Sequence, residues 1–335
     1  MRCIVTGGLG YIGTIVVDRL LKSGHEIVVI DPCFFGHNKG TLDLAYYSKY
    51  TDFPGFEEGD TIVHLGGLSN DPMANYDPVA NTKINTGFTA ELAEDFSKVK
   101  GKRFIFASSA SVYGYVDHPV NEMEPINPNS AYAESKYHAE EKLLQLHEDH
   151  GFELVILRKA TVMGKSPRQR LDLVVNAMVT SAFIKGEIHL DAGGETWRPL
   201  VHVDDVARCY EFFVEKEEVP SEQRELIFNL VHKNYRISEL GLYIKHLLSK
   251  NGEIRIVSDY DSKECRSYLM DGSKLENYGF HTKEGVMKAV NEIWKSLVTG
   301  EIDPTDPIYY NIKWLHMAER ICNCWGYKFN LVERM

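Results

Sequence analysis

Tyr132 and Lys136, four residues apart in the run Tyr132-Ala133-Glu134-Ser135-Lys136-Tyr137, could form an acid/base pair built on a phenol. On a helix that spacing sets both side chains on one face, one turn apart. A free tyrosine ionises near pH 10, so only about one part in a thousand is phenolate at neutral pH. An ammonium one turn away, together with a positively charged nicotinamide, would lower that value. The lysine could also donate to the nicotinamide ribose. Ser109 sits in Ala107-Ser108-Ser109-Ala110-Ser111-Val112-Tyr113-Gly114, at the end of an apolar strand pattern. Its hydroxyl could orient a substrate oxygen beside Tyr132. Taken alone, a tyrosine–lysine spacing of four is usually surface decoration. Its meaning comes from the company it keeps.

That company begins at the N-terminus. The apolar stretch Arg2-Cys3-Ile4-Val5-Thr6 runs into Gly7, Gly8, Gly10 and Gly13. A helical pattern follows through Ile12, Ile15, Val16, Val17, Leu20 and Leu21, and Gly24 closes it. Gly7 permits a tight turn, Gly10 lets backbone approach a pyrophosphate, and Gly13 lets helix and strand pack closely. Tyr11 and Ile12 then lie at the helix N-terminus, where unpaired N–H groups favour phosphate charge. Residues 26–30 form the next strand, which ends at Asp31 and is broken by Pro32. Strand, glycine turn, helix, strand and acid, in that order, are what a dinucleotide fingerprint requires. Asp31 can accept both ribose hydroxyls and would repel a 2′-phosphate, which predicts NAD rather than NADP. The competing reading of Asp31 is a turn aspartate before proline. Together, the two features predict hydride and proton transfer on an alcohol or ketone.

Further apolar strands are expected at residues 61–65, 103–107 and 153–158, with a helix beginning near Tyr132. Strands alternating with helices imply an α/β fold, a Rossmann-type doubly wound parallel sheet with ligands at the strands' carboxyl ends. After about residue 165 the rhythm changes. A helical stretch over 172–185, a Gly193-Gly194 turn and the run 197–203 suggest a smaller C-terminal substrate-binding lobe. The division expected is a dinucleotide-binding domain over 1–165 with returns near 198–232, a substrate lobe interleaved over 166–300, and an extension over 301–335. The extension is aromatic and is expected to be helical over 311–322. The short interval between Asp31 and Asp60 predicts a reduced third strand.

At 335 residues, 44% hydrophobic and 25% charged, the chain has an ordinary globular composition. A formal charge of −11 and the lack of a Lys/Arg-rich run argue against nucleic acid as a partner. No stretch approaches the roughly 18 apolar residues of a membrane span, and the opening reads as a strand rather than a signal peptide. A cytoplasmic protein with reduced cysteines is expected. Cys322 and Cys324 flank one Asn with no second pair nearby, so no metal site is predicted.

Several of these motifs, in this order, resemble the extended short-chain dehydrogenase/reductases of the nucleotide-sugar epimerase/dehydratase kind. The resemblance runs from residue 1 to about 295. It rests on Thr6-Gly7-Gly8-Leu9-Gly10-Tyr11-Ile12-Gly13, His64-Leu65-Gly66-Gly67, residues 108–114, Pro128-Asn129-Ser130-Ala131-Tyr132-Ala133-Glu134-Ser135-Lys136 and residues 198–205. Asp271-Gly272-Ser273-Lys274-Leu275 with Tyr278-Gly279-Phe280 completes it. It implies NAD as cofactor, a nucleotide-sugar substrate, a homodimer, and catalytic positions at Ser109, Tyr132 and Lys136. It places Leu65, Gly66 and Asn85 near the cofactor, Asp52 at its adenine, and Arg198 and Arg266 at the substrate's pyrophosphate. Thr161 stands where the family often has a phosphate-touching asparagine, and Ser69 and Asn70, in Leu68-Ser69-Asn70-Asp71-Pro72, are candidates for sugar selectivity. His64 and His202 read as core histidines. The family's dimers pair helices, one carrying the tyrosine and lysine; Leu143, Leu144 and Leu146 fit that face or ordinary core packing. Sugar 4,6-dehydratases carry an acidic pair after the catalytic hydroxyl residue, where this chain has Ala110 and Ser111. An NAD-dependent epimerase, inverting C4 through a transient 4-keto sugar, is therefore expected. A 4-keto-sugar reductase with exchangeable NAD(P)H shares the same trio, and a non-catalytic nucleotide-binding protein would have no need of the phenol.

Overall fold

The computed structural model of the chain describes residues 1–36, 44–222, 225–261 and 267–332. Its first half alternates as expected: β1 (Arg2–Thr6), α1 (Gly13–Lys22), β2 (Glu26–Ile30), β3 (Ala45–Tyr47), β4 (Thr61–His64), α2 (Asp71–Tyr76) and α3 (Pro78–Thr82). A π-helical stretch over Lys83–Phe88 leads into α4 (Thr89–Lys98), β5 (Arg103–Ser109), β6 (Pro119–Val120), α5 (Ala131–His150) and β7 (Glu153–Lys159). The second half holds β8 (Thr161–Met163), α6 (Val174–Lys185), β9 (Glu187–Asp191), β10 (Trp197–His202) and α7 (Val203–Glu215). After these come β11 (Ile227–Leu230), β12 (Lys233–Arg236), α8 (Ile237–Leu248), β13 (Arg255–Asp259), β14 (Leu269–Met270), α9 (Ser273–Asn277), α10 (Val286–Val298) and α11 (Asn311–Cys324).

Among the described residues, seven parallel strands form one sheet in the order β11-β7-β5-β4-β1-β2-β3. The central strands are apolar on both faces at their middle positions because helices cover both faces. Cys3, Val5, Val29, Val63, Ile105 and Val155 share a cluster with Val16 and Leu20 of α1 and Val206 and Phe213 of α7. Ile4, Val28, Ile62, Phe104, Phe106 and Leu154 point the other way, onto Leu92 and Phe96 of α4 and Leu143 of α5. Each such fully buried side chain stabilises the fold by roughly 1.5–3 kcal/mol. Strand order reverses direction between β1 and β4, opening a crevice at their carboxyl ends. The third strand is reduced to three residues, as its short interval predicted.

The smaller sheets, β12-β10-β8 and β13-β9, pack with α6, α8 and α10 around a separate apolar cluster that includes Val175, Leu190, Leu240 and Ile293. The chain returns to the large sheet through α7 and β11. Leu143 is fully buried and Leu144 and Leu146 pack against the same cluster, so these leucines serve the chain's own core. No helix of the described residues is long and apolar enough to cross a membrane.

Candidate active site

A cavity of about 640 Å³ lies over the strand-order reversal and extends towards the smaller lobe. The glycine turn forms one wall. Gly7 has φ +67°, and a Cβ there would fall 2.7 Å from the Gly66 nitrogen; one on Gly13 would lie 2.1 Å from the Gly7 carbonyl oxygen. Both glycines are thus required by close approach, of the β4 end and of α1 respectively. Gly10, Tyr11, Ile12 and Gly13 line the cavity at the start of α1, where first-turn N–H groups lack intrahelical acceptors. Asp31, 8% exposed at the end of β2, also faces the cavity. Its Oδ2 accepts from the Leu9 N–H at 3.0 Å and its Oδ1 from the Cys33 N–H at 2.8 Å, so the acid also ties the glycine turn to β2. This cradle fits a dinucleotide.

The opposite wall carries the phenol. Ser130 caps α5 by accepting from the Ala133 N–H at 3.2 Å, which starts the helix where Tyr132 and Lys136 share its inner face. Tyr132 and Ser109 face the cavity together, and the Ser111 hydroxyl lies 2.9 Å from that of Ser109. Burial pushes the phenol's pKa above its usual value; the Ser109 hydroxyl opposes this, Asp71 adds to it, and Arg170 opposes it. Among the chain's own groups, desolvation outweighs Ser109 and Arg170, so the phenol is raised. Lys136 Nζ lies 4.8 Å from the Phe106 ring centroid. Its pKa is lowered to about 8 by burial, against the attraction of Glu140.

Asn85 does not line the cavity. It sits behind it, accepting from the Leu68 N–H at 2.8 Å and donating to Ser135 Oγ at 3.0 Å. That pairing holds the wall carrying Leu65 and Gly66 against α5. Asp52 is exposed and outside the cavity, because its turn buries Phe53 among Tyr47, Tyr50 and Phe56; Ser48 lines the wall instead. His64 is a core residue, between Thr6 Oγ1 at 2.6 Å and Thr89 Oγ1 at 2.8 Å, with its pKa lowered to about 3 by burial. His202 caps α7 and bonds Glu292 at 2.9 Å.

Ser69, Asn70, Thr161 and Arg198 all line the cavity. Asn70 also has a local task, its side chain accepting from the Met73 N–H to cap α2. The Arg198 guanidinium lies 5.5 Å from the Tyr268 ring. Arg266 falls outside the described residues. Sequence reasoning missed Lys159, Arg168, Arg170 and Asn311, all of which reach the cavity. Lys159 Nζ donates to the Ser108 carbonyl at 2.8 Å, and burial followed by repulsion from Lys136 lowers its pKa well below normal. Arg170 grips both carboxylate oxygens of Asp172 at 2.9 Å and reaches Ser69 Oγ at 3.2 Å. The available signal was the cationic run Pro167-Arg168-Gln169-Arg170 directly after a strand that ends at the site.

A model of the NAD dependent epimerase/dehydratase family matches residues 3–230. The chain belongs to that family. Members of the NAD dependent epimerase/dehydratase family similar to it differ in activity. A UDP-glucose 4-epimerase of Lacticaseibacillus casei is 32% identical over 63% of this chain and 70% of its own length. UDP-glucuronic acid decarboxylase 1 of Xenopus tropicalis is 26% identical over 77% of this chain and 63% of its own. The chain thus spans less than two thirds of that decarboxylase. A solved UDP-glucuronic acid 4-epimerase from Bacillus cereus, in complex with UDP-glucuronic acid and NAD, shares the fold with a TM-score of 0.74. It is 22% identical and covers 89% of this chain and 99% of its own. The chain is accordingly an enzyme of an NAD-dependent family.

Proposed function

We propose that the chain is an NAD-dependent epimerase of a nucleotide sugar, inverting C4 through a transient 4-keto sugar. The observation that carries this reading is the Ser109–Tyr132 pair facing the cavity, with buried Lys136 one helical turn away. Bound NAD would supply the hydride acceptor and donor, held by the glycine turn and Asp31, and its cationic ring would favour the phenolate. Tyr132 takes the proton of the reacting hydroxyl and returns it after inversion. Ser109 fixes the reacting oxygen, and the Lys136 ammonium is assigned to the nicotinamide ribose. Ala110 and Ser111 bring no carboxylate after Ser109, which disfavours elimination of water. Arg198, Thr161 and Ser69 are assigned to the sugar nucleotide, and Arg266 stays a candidate for its diphosphate.

A second reading, decarboxylation of a nucleotide uronic acid, draws support from Arg170, a guanidinium at the cavity wall that suits an anionic sugar. Both readings start with oxidation at C4. Mass spectrometry of small molecules released by denaturation tests the shared part: near-stoichiometric NAD supports a recycled cofactor, and an empty protein that prefers NADPH favours a keto-sugar reductase. Incubation with UDP-sugars then separates the two. An inverted sugar of unchanged mass supports the epimerase; loss of carbon dioxide from a uronic acid replaces it with the decarboxylase.

A further inference from the structure

Arg158 and Arg170, buried arginines beside the site, each meet a carboxylate, Glu140 and Asp172 respectively. Arg168 does not. It is 4% exposed, lines the cavity, and has no carboxylate within ion-pairing distance among the described residues. Its guanidinium lies 3.9 Å from the Phe35 ring centroid. Nη2 donates to Asn311 Oδ1 at 2.7 Å and Nη1 to the Gln169 carbonyl at 3.4 Å. Of the five N–H groups a guanidinium carries, three remain to be satisfied. Its hydrogen-bond partners are neutral; burial and Arg170 disfavour its charge more than Asp172 and Asp31, from beyond ion-pairing distance, support it. Such burial is costly, and an oxyanion is the partner that would repay it.

Two features place that oxyanion on the cofactor side of the cavity. Ser166, two residues before Arg168, donates to the Tyr11 carbonyl at 2.7 Å and lies 3.0 Å from the Thr14 hydroxyl. Gln169 Oε1 accepts from the Ser166 N–H at 2.8 Å. The arginine's own loop is therefore fastened to the glycine turn. Phe35, on which the guanidinium stacks, follows Asp31 at the β2 end. The second feature is the extension beyond residue 303, which lies outside the span matched by the family model. Asn311, 2% exposed at the start of α11, also donates to Ser69 Oγ at 3.0 Å. Trp314 donates to the Phe34 carbonyl, and Leu315 and Leu331 pack with Leu68, Met73 and Ile84. The extension thus crosses both walls of the cofactor crevice, and Asn311 is where it reaches the cation.

We propose that Arg168, held by Asn311 of the C-terminal extension, binds the diphosphate of the dinucleotide together with the glycine turn. This rests on the reading that the cavity takes NAD. The fork of Arg168 supplies charge that the backbone cradle lacks, and α11 fixes its direction, so the extension contributes to cofactor retention.

The test uses the full chain stripped of cofactor, with calorimetric titration of NAD and, separately, UDP. Arg168→Gln should weaken NAD binding about ten-fold or more while UDP affinity stays within about two-fold. Arg168→Lys should recover part of the loss, and Asn311→Ala should show a smaller one. The NAD-free Arg168→Gln protein should melt no lower than the parent, since an unpaired buried charge is removed; a merely structural arginine would lower the melting point instead. NAD affinity unchanged in Arg168→Gln and Asn311→Ala would overturn the proposal. UDP affinity lost with NAD affinity intact would also overturn it, moving the guanidinium to the sugar nucleotide. Failure of the parent chain itself to bind NAD would remove the reading of the cavity, an outcome distinct from either.

Discussion

Glu140 and Arg158 form a buried ion pair that fastens the helix bearing the phenol to the sheet. Arg158 Nη2 donates to Glu140 Oε2 at 2.7 Å and Nε to Oε1 at 3.1 Å, with the two side chains 2% and 4% exposed. Glu140 also accepts from the Ser108 hydroxyl, one residue before Ser109. Arg158 further donates to the Tyr113 hydroxyl at 3.0 Å, which in turn donates to Asn229 Oδ1 at 2.8 Å. One helical turn beyond Lys136, the pair sets where α5 sits relative to the β5 end. Glu140→Ala leaves a buried guanidinium unpaired and should cost roughly 3–5 kcal/mol. Urea unfolding checks this. The double variant Glu140→Leu/Arg158→Leu should be less destabilised than the single one, because no charge is stranded.

Tyr132→Phe should keep NAD bound yet lower kcat by about a hundred-fold or more, the usual reach of a positioned acid/base. Ser109→Ala should give a smaller loss, since it leaves the phenol in place. Steady-state turnover of the identified nucleotide sugar, with cofactor content measured in parallel, checks both. A fully active phenylalanine variant would remove the mechanism.

Lys136 makes the NAD-free fold less stable at neutral pH than at alkaline pH. In the unfolded chain its pKa is 10.5 and in the folded chain about 8. Below pH 8 both states hold the proton and the folded state carries the whole penalty, about 3 kcal/mol. Between about pH 8 and 10.5 the unfolded state binds more protons, so this contribution to stability rises with pH until the penalty is gone. Lys136→Met should therefore stabilise the NAD-free protein at pH 7 and do so much less at pH 10.5. Denaturant midpoints at the two pH values measure the difference.

Asp31 should favour NAD over NADP, since a 2′-phosphate would meet its carboxylate. Asp31→Ser should narrow that preference by about ten-fold. It should also weaken binding of both cofactors, because the acceptors for Leu9 and Cys33 change. Titration of each dinucleotide separates the two effects.

His64 acts in the opposite pH range. Held neutral between two threonines, it has a folded pKa near 3 against 6.5 when unfolded. Its contribution is complete above about pH 6.5 and is lost as the pH falls towards 3, where the unfolded chain takes up the proton first. His64→Gln, which cannot titrate, should flatten stability over that window in acid unfolding curves.

The glycine turn, Asp31, Ser109, Tyr132 and Lys136 were legible in the chain itself because each depends on local rules. A strand-to-helix turn needs glycine where backbones meet, and a four-residue spacing aligns side chains on a helix. The five main strands and the doubly wound order followed from apolar runs buried on both faces. Asp52 misled because its place depends on which face of a short turn the aromatic cluster of Tyr50 and Phe53 claims. Asn85 was near the site in sequence logic, yet its task is to hold the Leu68 turn.

Only the tertiary structure could decide the rest. The raised phenol of Tyr132 and the lowered amine of Lys136 are set by how much water the surrounding walls exclude, which no spacing encodes. Arg168 and Asn311 lie far apart along the chain, and their meeting needs the extension to fold back across Phe34 and Leu68. Local periodicity determines which residues can share a strand end or a helix face; long-range packing alone determines which charges are left without a partner.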